Sequence, residues 1–188
     1  IFYDQLKIVV PQNEISVTVR QNQRWDNAKY DLKPLYFDES NGKMDFRYFD
    51  MNTNFPGWNE FRNFAFRNMN FEDANVENLD PIERELTLTE LKPRANRTYV
   101  NYIDLNGEYV IENTLGANNL SSDYFSINVF FKSPQLQGGY YFVGNHNNWK
   151  KNQLNKFTYN EELKRYECLL KLKQGYYDYM VEYSPLKT

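Results

Sequence analysis

The strongest constraint in this sequence is a period-two alternation of apolar and polar side chains that recurs along the chain. It is found at 15–20, where Ile, Val and Val alternate with Ser, Thr and Arg, and again at 125–131. Successive side chains of a β-strand point to opposite faces, so this pattern predicts strands with one buried face. Aromatic residues, at 18% of the chain, also favour pleated sheets. No segment shows the periodicity of an amphipathic helix, and we therefore predict an all-β protein.

Turn-forming residues divide the apolar segments from one another. Asn41-Gly42 and Asn106-Gly107 each lie between two apolar runs. Such dipeptides adopt positive φ at low cost, so both predict hairpin turns. Further strands are predicted at 6–10, 61–71, 84–91, 140–143, 157–159, 166–172 and 176–183.

A polar run from Gly116 to Ser122 separates two groups of predicted strands. We therefore predict two consecutive antiparallel β-sandwich domains, residues 1–120 and residues 121–188. Only a few strands are visible after Ser121, so the second sandwich is expected to be incomplete. In that case Tyr176 to Tyr183 would leave a free edge or pair with residues outside this chain.

Charge and hydropathy exclude several classes of partner. The net charge is -3 and the sequence pI is near 5.3, which gives no positive field for binding phosphates, so nucleic acid is not an expected partner. No apolar run approaches the roughly 18 residues that a transmembrane helix needs. The single cysteine, Cys168, rules out an intrachain disulfide.

The residues that usually carry chemistry are sparse. His146 is the only histidine and is expected to be exposed or to stabilise a turn. Cys168 shares a predicted strand face with apolar residues, which indicates a buried, unreactive thiol. The carboxylates between 72 and 85 surround Pro81 and favour a solvated acidic loop, and Gly138-Gly139 precedes a strand rather than a helix. We therefore expect no catalytic site, metal, cofactor or small-molecule ligand.

Two segments suggest contacts with a partner protein. The cluster Phe55-Pro56-Gly57-Trp58 either packs in a core or presents Trp58 from a loop. Arg94 and Arg97 lie in the turn 93–97, where they either brace the loop through carboxylates or contact a partner.

The C-terminal segment resembles an early-set immunoglobulin-like domain, the sandwich found in starch-enzyme modules and glycogen-binding modules. The resemblance is carried by Gly-Tyr-Tyr-Phe-Val-Gly-Asn-His-Asn-Asn-Trp at 139–149 and by Gly-Tyr-Tyr-Asp-Tyr at 175–179. In those modules the residue matching Trp149 stacks on sugar, but a lysine that they carry two strands later is Met180 here. A packed Trp149 would remove the sugar-binding interpretation.

A wider set of motifs resembles the Bacteroidota family of type IX secretion system plug proteins, from about Gln5 to Tyr183. In chain order these motifs are Val-Arg-Gln-Asn at 19–22 with Arg-Trp-Asp-Asn at 24–27, Gly-Trp-Asn-Glu-Phe at 57–61, Pro-Arg-Ala-Asn-Arg at 93–97 and Asp-Leu-Asn-Gly at 104–107. Membership would imply a non-catalytic periplasmic protein that associates with the outer membrane by docking on the translocon barrel and sealing its periplasmic opening.

From this resemblance and from the aromatic loops we derive a set of candidate partner-binding residues: Trp58, Asn59, Arg94, Arg97, His146 and Trp149. Two other functions remain open at this point. One is a glycan-binding module, and the other is an accessory β domain of a larger enzyme.

Overall fold

The computed structural model of the protein describes residues 1–48, 54–57, 61–69, 73–94, 105–116 and 119–186. The chain divides into two compact units, Ile1–Asn59 and Glu60–Thr188. Within the described residues the only α-helix is one turn long, Pro11–Glu14. The prediction of an all-β protein with antiparallel sheets in sandwich-like domains is confirmed.

The first unit contains two antiparallel hairpins. β1 (Val17–Val19) pairs with β2 (Lys29–Leu32), and β3 (Tyr36–Asp38) pairs with β4 (Lys43–Asp45). The predicted turn at Asn41-Gly42 connects β3 to β4, and it forms because Gly42 adopts a φ of 55°.

The strand predicted at 6–10 is absent from the structure. Pro11 begins the short helix instead, as its fixed φ favours the first helical position. The Glu14 carboxylate accepts hydrogen bonds from the amides of Val9 and Val10, at 3.0 and 2.5 Å. These local bonds satisfy backbone donors that a strand would have offered to a neighbour.

The second unit is a sandwich of two sheets. Its larger sheet has five strands, in the order β11 (Thr158–Asn160), β12 (Arg165–Lys173), β9 (Tyr124–Lys132), β7 (Glu85–Leu88) and β6 (Val76–Asp80). All neighbours are antiparallel except β7 and β9, which run parallel.

The smaller sheet is organised around the last strand of the chain. Its members are β5 (Arg62–Ala65), β8 (Tyr109–Ile111), β10 (Gly138–Val143) and β13 (Gly175–Pro185). β13 pairs with each of the other three strands, and every pairing is antiparallel.

An aromatic core fills the space between these two sheets. β9 buries alternate residues, Phe125, Ile127 and Val129, as the period-two pattern predicts. From the smaller sheet, the ring of Phe64 stacks on that of Tyr177 with centroids 5.4 Å apart. Stacked and edge-to-face pairs of this kind stabilise a core beyond the area that they bury.

The structure places the domain division earlier than predicted. The expected boundary at Gly116 to Ser122 lies within the second unit, which begins at Glu60. Strands on both sides of that polar run share sheets, because β7 pairs with β9 and β5 pairs with β13. Such long-range pairings follow from tertiary structure and leave no local signal in the sequence.

The same pairings correct part of the expectation of an incomplete second sandwich. Tyr176 and Tyr177 leave no free edge, whereas Met180 to Tyr183 pair with β10 alone among the described strands. Tyr176 pairs with Ala65 of β5 and also with Val110 of β8. One residue can face two partners only when both edges of its strand are occupied, and Tyr177 does so as well. The strands that seemed missing after Ser121 are therefore supplied by residues that precede it.

We predict that Phe64→Ala destabilises the second unit by about 3–5 kcal/mol, the usual cost of deleting a buried aromatic ring. Phe64 is 0% exposed, and it contacts the rings of Phe66, Tyr177 and Tyr179. Urea unfolding followed by circular dichroism measures the change. Leu154→Ala, at a residue 83% exposed, is the matched control and should shift stability by less than about 0.5 kcal/mol. A loss below about 1 kcal/mol for Phe64→Ala would contradict this core.

Candidate docking surface

The loop that follows β10 was predicted to contact a partner, and the structure shows it to be tightly braced. Residues Asn145–Asn147 form a turn of 3-10 helix, and Asn148 and Trp149 then adopt left-handed φ values of 53° and 59°. The side-chain amides of Asn147 and Asn155 both donate to the carbonyl of Phe142, at 2.9 and 2.8 Å. Asn155 is itself buried, so this part of the asparagine-rich sequence serves to hold the loop.

Trp149 is packed inside this loop. It is 4% exposed, and it belongs to a small cluster with Phe61, Val143 and Met180. Its ring lies 5.9 Å from that of Phe61, tilted by 59°. The sugar-stacking role implied by the glycogen-binding modules is therefore wrong for Trp149, since neither an incoming sugar nor a partner can cover a buried ring.

The turn at Asn106-Gly107 closes over the same tryptophan. Gly107 has a φ of 86°, and a Cβ atom on it would lie 2.6 Å from Cζ2 of Trp149, so no larger residue fits. The buried carboxylate of Asp178 accepts hydrogen bonds from the amides of Leu105 and Gly107, at 2.5 and 3.3 Å. The described part of this motif, residues 105–107, therefore links the turn to β13.

His146 is half-buried among aromatic rings, in the 3-10 turn Asn145–Asn147. The expectation that it is exposed is therefore wrong, while the alternative, that it stabilises a turn, stays a prediction. Its ring is 5.3 Å from that of Phe142, 5.9 Å from that of Tyr177 and 6.4 Å from that of Tyr109. Both ring nitrogens are buried and have no hydrogen-bond partner among the described residues. Burial lowers the pKa of His146 to about 4, because the charged imidazolium would lose its hydration there. The ring is therefore neutral near pH 7.

The other predicted contact residues fall into two groups. Arg94 is exposed, and its Nη1 donates to the carbonyl of Phe61 at 2.9 Å. It therefore holds the segment after β7 against the start of β5. Trp58, Asn59 and Arg97 lie outside the described residues.

A surface that sequence reasoning did not select lies on the first hairpin of the first unit. Trp25 is 59% exposed and Tyr30 is 56% exposed, and their rings are stacked with centroids 6.4 Å apart and planes 19° from parallel. The guanidinium of Arg20 lies over the Trp25 ring, 4.0 Å from its centroid. We call Arg20, Trp25 and Tyr30 the Trp25 cluster.

The turn that carries Trp25 is held by a buried arginine. Arg24 is 3% exposed and makes two bonds to the Asp26 carboxylate, at 3.0 and 2.6 Å. Asn22 and Gln23 adopt left-handed φ values of 50° and 57°, and Arg20 donates to the Gln23 carbonyl at 3.1 Å. The sequence signal for this surface is the adjacent arginine and tryptophan, Arg24-Trp25, in a turn of otherwise polar residues.

Cys168 is buried, as predicted, and its thiol is unreactive. Burial raises its pKa to about 12, so the reactive thiolate is not formed near neutral pH. The described residues contain no group of three or more His, Cys, Asp or Glu side chains arranged to hold a metal ion. Within the same part of the chain, no helix is long and apolar enough to cross a bilayer.

Comparison with known proteins identifies a structural relative. No protein-family model and no curated protein sequence matches the chain. Among solved structures it is similar to a hypothetical protein from Parabacteroides merdae, with a TM-score of 0.80 and 28% sequence identity. The match covers 96% of this chain and 46% of that protein, so this chain spans less than half of its relative's length. The fold is therefore shared with a protein of the Bacteroidota.

We predict that His146 makes the second unit less stable as the pH falls from about 6.5 to about 4. The pKa of His146 is lower in the folded state than the usual value of 6.5, so the unfolded chain binds the proton more tightly over this range. The free energy of unfolding therefore decreases with falling pH, by up to about 1.4 kcal/mol per pH unit. Urea unfolding at pH 7.5, 5.5 and 4.5 measures it.

His146→Phe is the matched control, since an uncharged ring can occupy the same aromatic surroundings. Because His146 is the only histidine, this variant should lose most of the slope between pH 6.5 and 4.5. The lowered pKa values of Asp38, Asp45 and Glu167 act at lower pH, where those carboxylates become protonated. An equal slope in both proteins would show that His146 is not the group responsible.

Proposed function

We propose that this protein is a non-catalytic periplasmic protein of the type IX secretion system, which binds the outer-membrane translocon barrel and seals its periplasmic opening. The observation that carries the proposal is the ordered set of plug-family motifs from residue 19 to residue 107, followed by an early-set segment. Amino-acid composition alone would not produce four motifs in a fixed order followed by a specific domain type. The similarity to a Parabacteroides merdae protein supports a source among the bacteria that have this family.

The places that the motifs occupy in the fold support this interpretation. The motif at 24–27 supplies the Arg24–Asp26 pair that braces an exposed tryptophan. Residues 105–107 of the motif at 104–107 form the turn whose amides donate to Asp178. Both motifs therefore build rigid turns, and a protein that closes a pore by filling its opening needs rigid surfaces more than reactive groups.

The chemistry of the described residues also favours binding over catalysis. A general base needs a pKa near the working pH, whereas His146 has a pKa of about 4 and is enclosed by rings. A nucleophilic cysteine needs a lowered pKa, whereas the pKa of Cys168 is raised to about 12. The pKa of His146 is thus too low for a general base near pH 7, and the pKa of Cys168 is too high for a nucleophile.

The size of a plug interface is compatible with this chain. A stable protein interface buries roughly 1,200–2,000 Å² in total. The chain exposes large apolar side chains on both of its units, for example Trp25 in the first and Leu169 in the second. A few such residues, backed by rigid turns, are sufficient to supply most of the binding energy.

We predict that the translocon barrel, isolated from the source bacterium through an affinity tag, carries this protein with it. Deleting the gene should make the outer membrane more permeable to a large antibiotic such as vancomycin, since an unsealed pore admits solutes. Wild-type protein expressed in the deletion strain should restore the barrier. Antibiotic susceptibility and mass spectrometry of the isolated barrel provide the two measurements.

The core variant Phe64→Ala serves as the control, because an unfolded plug should fail in both measurements. If the protein is never found with the translocon, and its deletion changes neither permeability nor secretion, the proposed function is wrong.

A further inference from the structure

The Trp25 cluster has the composition of a protein-binding anchor. Trp, Tyr and Arg are the residue types that most often carry binding energy at interfaces, and all three meet here on one hairpin. Single exposed apolar side chains are ordinary on protein surfaces. Two rings that are each more than half exposed, with a guanidinium stacked on one of them, form a larger and more specific feature.

The cluster is also held in place before any partner arrives. Arg24, which precedes Trp25 in sequence, is buried and paired with Asp26, and the Tyr30 hydroxyl donates to the Trp25 carbonyl at 3.1 Å. Two successive non-glycine residues with left-handed φ, Asn22 and Gln23, persist only where the surroundings enforce them, and such conformations concentrate at functional sites. A side chain that is already immobilised loses less entropy on binding, which increases affinity.

The charges around the cluster define what kind of surface it fits. Arg20 forms no ion pair with any carboxylate in the described part of the chain, and its contacts are the Trp25 ring and the Gln23 carbonyl. The two nearest carboxylates in sequence already have other partners. Glu14 accepts from the amides of Val9 and Val10, and Asp26 is bonded to Arg24. A partner that covers the two rings with apolar side chains can therefore also place a carboxylate on the guanidinium of Arg20, where a charge-assisted bond forms.

The exposed area of the Trp25 and Tyr30 rings limits how much of an interface the cluster can form. Aromatic side chains bury roughly 150–250 Å² each when fully covered, so two half-exposed rings offer on the order of 250 Å². This is a fraction of the roughly 1,200–2,000 Å² in a stable interface. The cluster is thus an anchor within a larger contact.

The geometry points to the Trp25 cluster as the anchor through which this protein binds a partner protein whose contact surface combines apolar side chains with a carboxylate. This inference rests on the proposed function for the identity of that partner, the translocon barrel. It adds the surface of this chain that makes the contact and the chemistry of the surface that it meets.

The test compares full-length variants in their affinity for the detergent-solubilised translocon barrel. Trp25→Ala should weaken binding by at least about 30-fold, the loss typical of a hot spot. Arg20→Glu should weaken it by at least about 10-fold at low salt, and by less in 1 M salt, because an ionic contact is screened. Tyr36→Ala removes a ring that is 66% exposed in the same unit and should change affinity by less than about twofold. Thermal melts confirm that each variant is folded.

The outcomes separate this inference from the proposed function. If the wild-type protein binds the barrel and Trp25→Ala binds within twofold of it, the anchor is wrong and the plug function stands. If Trp25→Ala does not fold, Arg20→Glu decides, since Arg20 is an exposed side chain. Unchanged affinity for Arg20→Glu at low salt would then overturn the inference.

If the wild-type protein does not bind the barrel, the plug function fails and the anchor is tested by crosslinking in intact cells. A photoreactive benzoylphenylalanine replaces Trp25 in one strain and Tyr36 in another. We expect a crosslink from position 25 alone, to a partner peptide in which Asp or Glu lies beside apolar residues. The inference is overturned by no crosslink, by a crosslink to a second copy of this chain, or by a partner peptide without a carboxylate.

Discussion

Pairing of β13 along both edges is the interaction on which the second unit depends. Tyr176 and Tyr177 each face a residue of β5 and a residue of β8, so strands from the middle of the chain are joined through its last strand. Asp178, on the same strand, also receives the backbone amides of the turn at 105–107. The core rings of the smaller sheet are placed by this register, including Tyr177 against Phe64 and Tyr179 against Phe142.

Burial decides which aromatic residues can take part in binding. The loop with His146 and Trp149 has the composition of a recognition loop, yet Trp149 is buried and His146 is half-buried. The side-chain amides of Asn147 and Asn155 donate to the backbone carbonyl of Phe142 in β10. The hairpin with Trp25 has a similar composition, but its Trp25 and Tyr30 rings are more than half exposed, and the buried Arg24 braces its turn by bonding to Asp26. The same residue types therefore form a structural clip in one unit and a docking surface in the other.

Features with a local cause could be predicted from the sequence, and features with a long-range cause could not. The alternation in β9, the hairpin at Asn41-Gly42 and the buried Cys168 were predicted correctly. β2 and β6 were missed because they are rich in polar residues, and in β2 Asp31 interrupts the extended backbone with a φ of 52°. The domain division and the burial of Trp149 depend on strands that are distant in sequence. The stacking of Arg20, Trp25 and Tyr30 depends on side-chain positions that the sequence does not show.

The central claim is that residues before and after Ser121 form one cooperative unit through β13. Its most direct test compares the unfolding of two fragments, residues 60–188 and residues 121–188, by urea titration with circular dichroism and amide hydrogen exchange. We predict a single cooperative transition for the longer fragment, with the amides of Tyr176 and Tyr177 among the slowest to exchange. We predict no cooperative transition for the shorter fragment, since it lacks β5 to β8. A cooperative transition of residues 121–188 alone would contradict the account.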